Sequence, residues 1–423
     1  MKPAARRGLA PTATAGFCLL FATALCSAAT ADRTYGLTFE LRLAPDQPHA
    51  AASIQLIQAD ALLREVRLNA PRPRYGEFRG DGVVTREGDT VTWLPPANGG
   101  RIEYSVIIDH QRENGGYDAL VSKSLAVFRV DDVFPAAWTR LLAGARSRSK
   151  LRLVLPSGWS ATTPYPRDTH GDYTIDNPAR SFDRPTGWVI AGHLGRRQDL
   201  ISGINVSVTA PVGAGVERIA MLAMLRWTLP RLSRELDAVP SRLSVVVAGD
   251  PMWRGGLSAP NSVFVHADRP LLSENGTSTL LHEVVHMMMP VTTVHEYDWI
   301  DEGIAEYVTL RLLRDSGTIS NARFVSAIAA FDRRGLPATE LVTTHASGAV
   351  KARAVTIFHA LDDELIEATD GNADIFTLLR RLCAAKNPVD SSQLHAAAVE
   401  ISGRAELESL AMVMVTPARS GGK

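Results

Sequence analysis

The apolar pattern of this chain changes period once, and the change limits what it can fold into. From Thr34 to about Pro211 apolar residues come in alternating or short runs, among them TYGLTFELRL, ASIQLIQA, TVTWLP, IEYSVIIDH, KLRLVLP, GWVIAGHL and GINVSVTAP. Turn clusters such as PDQP, GDG, PPANGG and RENGG separate them. Alternation sends successive side chains to opposite faces of a strand, so short strands at this spacing predict an antiparallel sandwich or a related β domain. After Pro211 the spacing becomes helical. VERIAMLAMLRWTLPRLSREL reads as one or two helices, while SRLSVVVAG and NSVFVHA read as strands. DEGIAEYVTLRLLRDSG (301–317) has acids at its start and a glycine after its last basic turn, which mark the limits of a helix. LDDELIEAT and IFTLLRRLCAA carry helical character toward the C-terminus. The expectation is an α+β multidomain chain: an antiparallel β-sandwich-like domain over 32–211, an α+β domain over 212–335 and a helical region over 336–423. A length of 423 residues accommodates two or three domains.

The first 31 residues stand outside that scheme. Lys2, Arg6 and Arg7 give a positive start, Gly16 to Leu25 a short apolar run, and Ala29-Thr30-Ala31 a small-residue cleavage site. This is the pattern of a secretory signal peptide, and its apolar run is well short of the roughly 20 residues that span a bilayer. The pair Arg6-Arg7 leaves Sec and twin-arginine export both open. The mature protein is expected to be exported, periplasmic or secreted, with no stable membrane insertion after cleavage. Cleavage removes Cys18 and Cys26 and leaves Cys383 alone, so no intramolecular disulfide can form and the core must supply the stability. The 45 basic residues balance the 45 acidic ones, which gives no electrostatic footprint for nucleic acid.

The stretch TLLHEVVHMMMP (279–290) is apolar yet carries two histidines and a glutamate. On a helix His282 and His286 lie one turn apart on the same face. Two imidazoles so placed can grip one metal ion, and Glu283 can reach a water there. The plainer alternative is a buried helix that happens to hold two histidines. Met287, Met288 and Met289 are read as core packing. Fifteen residues separate His286 from Glu302, which stands at the first turn of the next helix in WIDEGIAEY. It can serve as a third ligand or as an acid favoured by the helix dipole. Glu306, one turn on, is placed to hold the far nitrogen of a ligand histidine. Asn275-Gly276-Thr277 reads as a turn into the helix or as a glycosylation acceptor.

HExxH followed by W-x-x-E-G-x-A-E-Y resembles the gluzincin metallopeptidases, in particular the alanyl- and glycyl-aminopeptidase groups. The resemblance implies a thermolysin-like catalytic domain binding one Zn2+ per chain through His282, His286 and Glu302. It makes Glu283 the general base and implies a peptide or protein substrate. Gly255, Gly256, Leu257 and Ser258 fall where those families have a strand that holds substrate backbone. ARAVTIFHALDDELIEATDG looks like the helix after their Tyr-x-Lys-Gly segment. The chain departs from the pattern in three places. Ser258 stands where the amine-binding glutamate belongs, which leaves exo- and endopeptidase action open. No tyrosine follows Tyr307, and the position of the oxyanion tyrosine falls near Lys351. Tyr297, His345, His295 and Arg353 are the substitute donors considered. Finally, too little chain remains for the PDZ module of the glycyl aminopeptidases. These departures keep a second expectation alive, a gluzincin-shaped binding or scaffold protein that retains its zinc site without catalysis.

Overall fold

The structure, a computed structural model, describes residues 33–414 apart from 48, 178, 179 and 237. The signal segment expected over 1–31 lies outside the described residues. Among those described, no helix is long and apolar enough to cross a membrane.

Alternation in the first strand, Thr34–Arg42, becomes alternating burial, with Tyr35, Leu37, Phe39 and Leu41 facing inward. Its sheet has six strands in the order Tyr173–Ile175, Arg146–Val154, Thr34–Arg42, Ala50–Ile57, Gly99–Val106, Tyr75–Gly80. A four-stranded and a five-stranded sheet share one apolar core with it, built around Phe39, Trp93, Phe128 and Phe134. The β-rich half is therefore present but not purely antiparallel. Thr34–Arg42 and Arg146–Val154 run parallel, which the hundred residues of chain between them permit.

A fourth sheet, of five strands, positions the site. Its order is Leu194–Ile201, Ile204–Pro211, Arg242–Ala248, Ser262–His266, Gly256–Ala259. The second, third and fourth of these are parallel, and helix α1 (Arg218–Ser233) makes the first crossover. LSVVVA within Arg242–Ala248 is buried on both faces, as a central parallel strand is. One face of this sheet meets the β-rich half through Val127, Trp188, Ile190, Val246, Met252 and Phe264. Trp188 also donates from Nε1 to the Leu257 carbonyl (3.0 Å) and from its backbone N–H to Ser262 Oγ (2.8 Å). The change of period at Pro211 thus does not coincide with a change of sheet. Ile204–Pro211, expected with the N-terminal domain, pairs with Arg242–Ala248 and carries Leu194–Ile201 on its outer side, because period reports the type of an element and not its partner.

The other face is covered by α1 and by α2 (Thr279–Met288), and behind them pack α3 (Asp298–Asp315), α4 (Asn321–Gly335) and α5 (Gly348–Ala368), followed by α6 (Ile375–Cys383), α7 (Ser391–Ser402) and α8 (Glu408–Met414). The helices and the sheet share a single large apolar cluster. α3 begins three residues before its expected start, because Trp299 and Ile300 are fully buried and draw its first turn into the core. Where α3 crosses α5 the helices touch at Gly303: a Cβ there would lie 2.5 Å from Ala354 Cβ.

Candidate metal centre

Ser278 caps α2, its Oγ accepting from the Leu281 N–H (3.4 Å), and Pro290 prevents the helix from continuing. Leu280, Leu281, Val284, Val285 and Met288 anchor it in the core, and Met289 is buried beside them. The methionine run does pack. The same burial turns His282 and His286 toward α3, with their Nε2 atoms 3.1 Å apart. Glu302 reaches both: its Oε2 lies 3.3 Å from His282 Nε2 and its Oε1 3.5 Å from His286 Nε2.

Two imidazole nitrogens this close share either a hydrogen or a metal ion, and only the second uses the Glu302 oxygens as well. Zinc held at about 2.0–2.1 Å in tetrahedral geometry places its ligand atoms about 3.3 Å apart. The observed edges of 3.1, 3.3 and 3.5 Å bracket that value, so the donor set fits the ion. The far nitrogens are also engaged by acids. His286 Nδ1 is hydrogen-bonded to Asp301 Oδ1 (3.2 Å), and His282 Nδ1 faces Glu306 Oε2 at 3.1 Å, though off the hydrogen-bonding direction. Such partners fix the tautomer and raise the basicity of the ring.

The charges of the site act strongly on one another. Burial works against charge on both imidazoles, yet Glu302 and Glu306 hold His282 above its ordinary value, and Asp301 holds His286 well above it. Burial would raise Glu302, but the two imidazoles and Lys351 hold its carboxyl far below the usual range. Glu306, against the same opposing burial, is lowered to about 2 by Lys351 and His282. Glu283 differs: burial pushes its carboxyl up, the behaviour of a group that takes and releases a proton.

A cleft of about 560 Å³ opens over these residues. It brings together His282, Glu283, His286, Glu302 and Glu306 with Gly255, Gly256, Leu257, Ser258 and His345. Tyr297 is not among its lining residues; it precedes α3 and bridges to Thr343. His295 and Arg353 are also outside the lining. The glycines serve the protein's own side chains. A Cβ on Gly256 would sit 2.6 Å from Glu283 Cγ, and one on Gly255 would enter the Trp253 ring. Gly256–Ala259 forms the edge of its sheet, and among the described residues no strand pairs with its outer side.

Sequence reasoning missed Asp301, read only as a helix-start acid, and Lys351, whose Nζ lies 3.2 Å from both Glu302 Oε2 and Glu306 Oε2. It also missed Arg112, Trp253, Arg269 and Arg334, which come to the cleft from four separate places in the chain. No local signal marks them.

No protein-family model matches this sequence, and no curated protein matches it. Solved structures do resemble it in fold. An aminopeptidase N family protein from Idiomarina loihiensis aligns at a TM-score of 0.63 and 14% identity, covering 82% of this chain and 70% of that one. Leukotriene A4 hydrolase from Saccharomyces cerevisiae aligns at 0.54 and 12% identity, covering 89% of this chain and 65% of that one. A second structure of the same yeast protein gives 0.53 and 13%, over 86% and 65%. The chain shares the fold of these structures over most of its length, and it brings one ligand atom each of His282, His286 and Glu302 within 4.8 Å of one another.

Proposed function

We propose that this protein is an exported zinc-dependent metallopeptidase of the gluzincin type. The observation that carries the reading is the convergence of His282, His286 and Glu302 to within bonding range of one ion, with Glu283 lining the same cleft. When bound, zinc supplies a Lewis acid that acidifies water and polarises a carbonyl. The protein's part follows from its own residues. His282, His286 and Glu302 hold the ion, with Asp301 and Glu306 orienting the rings. Glu283 takes the proton that water gives up and passes it to the departing amine. An extended peptide pairs along the free edge of Gly256–Ala259, the usual way a strand edge receives a ligand. Lys351 sets a positive charge beside Glu302, and with His345 it is a candidate donor to the oxygen that becomes negative.

The test is zinc content of the purified protein and peptide hydrolysis by it and by Glu283→Gln. The substitution keeps shape and metal and should reduce kcat about 10²–10⁴-fold. A zinc-loaded wild-type protein that cuts no peptide rejects the reading. One observation favours the binding or scaffold alternative: Lys351 offers Glu302 and Glu306 a counter-ion from within the chain. That reading predicts that Glu283→Gln leaves the cellular role intact.

A further inference from the structure

Four carboxylates and four cationic side chains line the cleft, and of the cations only Lys351 is paired with those carboxylates. Glu283, Asp301, Glu302 and Glu306 all lie on α2 and α3. The last three are spent on the imidazoles and Lys351, and Glu283 is buried against Gly256. Among the cations, Lys351 is taken up by Glu302 and Glu306, and Arg112 is paired with Asp118 while stacking over Trp253. Arg269 and Arg334 are different. Both are exposed, and neither has a carboxylate within ion-pair reach among the described residues.

Both are also held in place. Arg269 donates from Nε to the Arg254 carbonyl (2.7 Å), which leaves its terminal N–H groups for a ligand. The neighbouring acid, Asp268, is drawn toward Arg254 instead (3.5 Å). Arg334, in the last turn of α4, stacks over the Phe331 ring at 4.3 Å, and Phe331 itself lines the cleft. A guanidinium fixed by one contact and free of counter-ions presents a planar fork of donors that matches a carboxylate. Ser258, at the position where the resembled families anchor an amine with a glutamate, adds no negative charge.

We infer that the cleft receives a peptide carrying a carboxylate near the bond to be cut, bound by Arg269 and Arg334, and not a peptide anchored by its free amine. The inference rests on the peptidase reading for the ligand being a peptide. The carboxylate can belong to an acidic side chain or to the C-terminus of the substrate, and the test separates these sources.

Zinc-loaded full-length Glu283→Gln protein is titrated by fluorescence anisotropy with N-acetylated, labelled peptides of one alanine-rich core. The set carries glutamates, lysines or no charge, each with a free or an amidated C-terminus. The expected result is binding of the glutamate peptides about tenfold tighter than the neutral ones, as one ion pair provides, with the preference fading at high salt. If only free C-termini gain affinity, the terminal carboxylate is the ligand. Adding Arg269→Ala and Arg334→Ala, exposed positions that the fold tolerates, should abolish the preference and leave zinc content unchanged. Equal affinity for neutral, basic and acidic peptides overturns the inference, as does a preference that survives both arginine substitutions or an absence of binding to any peptide. Acid-selective binding by a wild-type protein that hydrolyses neither this set nor the same peptides with free N-termini rejects the peptidase reading alone.

Discussion

In the proposed zinc site Asp301 and Glu306 are not ligands but partners of the ligand histidines. Each backs the far side of an imidazole, so its effect passes through ring orientation and basicity. Asp301→Asn or Glu306→Gln should therefore weaken zinc binding about 10–100-fold without abolishing it, measured by competition with a chromogenic chelator. Glu302→Ala, which removes a ligand atom, should leave the protein without stoichiometric zinc. Lys351 acts in the opposite sense. Its ammonium lies 3.2 Å from a ligand carboxylate and repels a second cation, so Lys351→Met should bind zinc more tightly in the same assay. Legibility at this scale followed locality. His282 and His286 could be paired from the sequence because four residues make one helical turn. Glu302 was ambiguous alone, since a loop separates it from the histidines, and it was chosen by resemblance. Lys351 stands 45 residues beyond Glu306 on another helix, so no spacing rule reaches it.

Two glycines show how elements set the site. Gly303 follows Glu302 directly and lets α3 lie against α5. Gly303→Ala should cost about 1–3 kcal/mol by overpacking, seen in thermal unfolding, and should lower zinc affinity as Glu302 shifts with its helix. Gly256 does the same for strand and helix: its missing side chain makes room for Glu283. Gly256→Ala should leave zinc content intact and lower kcat at least about tenfold, because small displacements of a catalytic group are costly. The two substitutions thus separate metal binding from proton transfer. The sequence named Gly256 for a different reason, close approach of a substrate, because a glycine in a strand announces crowding without saying what crowds it.

Across the whole molecule, the three proposed metal ligands come from two helices embedded in the largest apolar cluster. A ligand bound only by the folded state adds stability by mass action, about 4 kcal/mol at a thousand times its dissociation constant. Chelation should accordingly lower the melting temperature of the wild-type protein and leave that of Glu302→Ala unchanged, as read by calorimetry. The β-rich and helical halves were legible because period distinguishes strand from helix. Their connection was not, since residues 194–211 look like the strands before them and pair with those after. That pairing governs any attempt to divide the protein. A fragment cut where the sequence texture changes, at residue 212, would leave Arg242–Ala248 with one side of its backbone bare, an adhesive ribbon seeking another copy. Such a piece should sediment as aggregate, and the seam that looks natural on paper is the wrong place for the scissors.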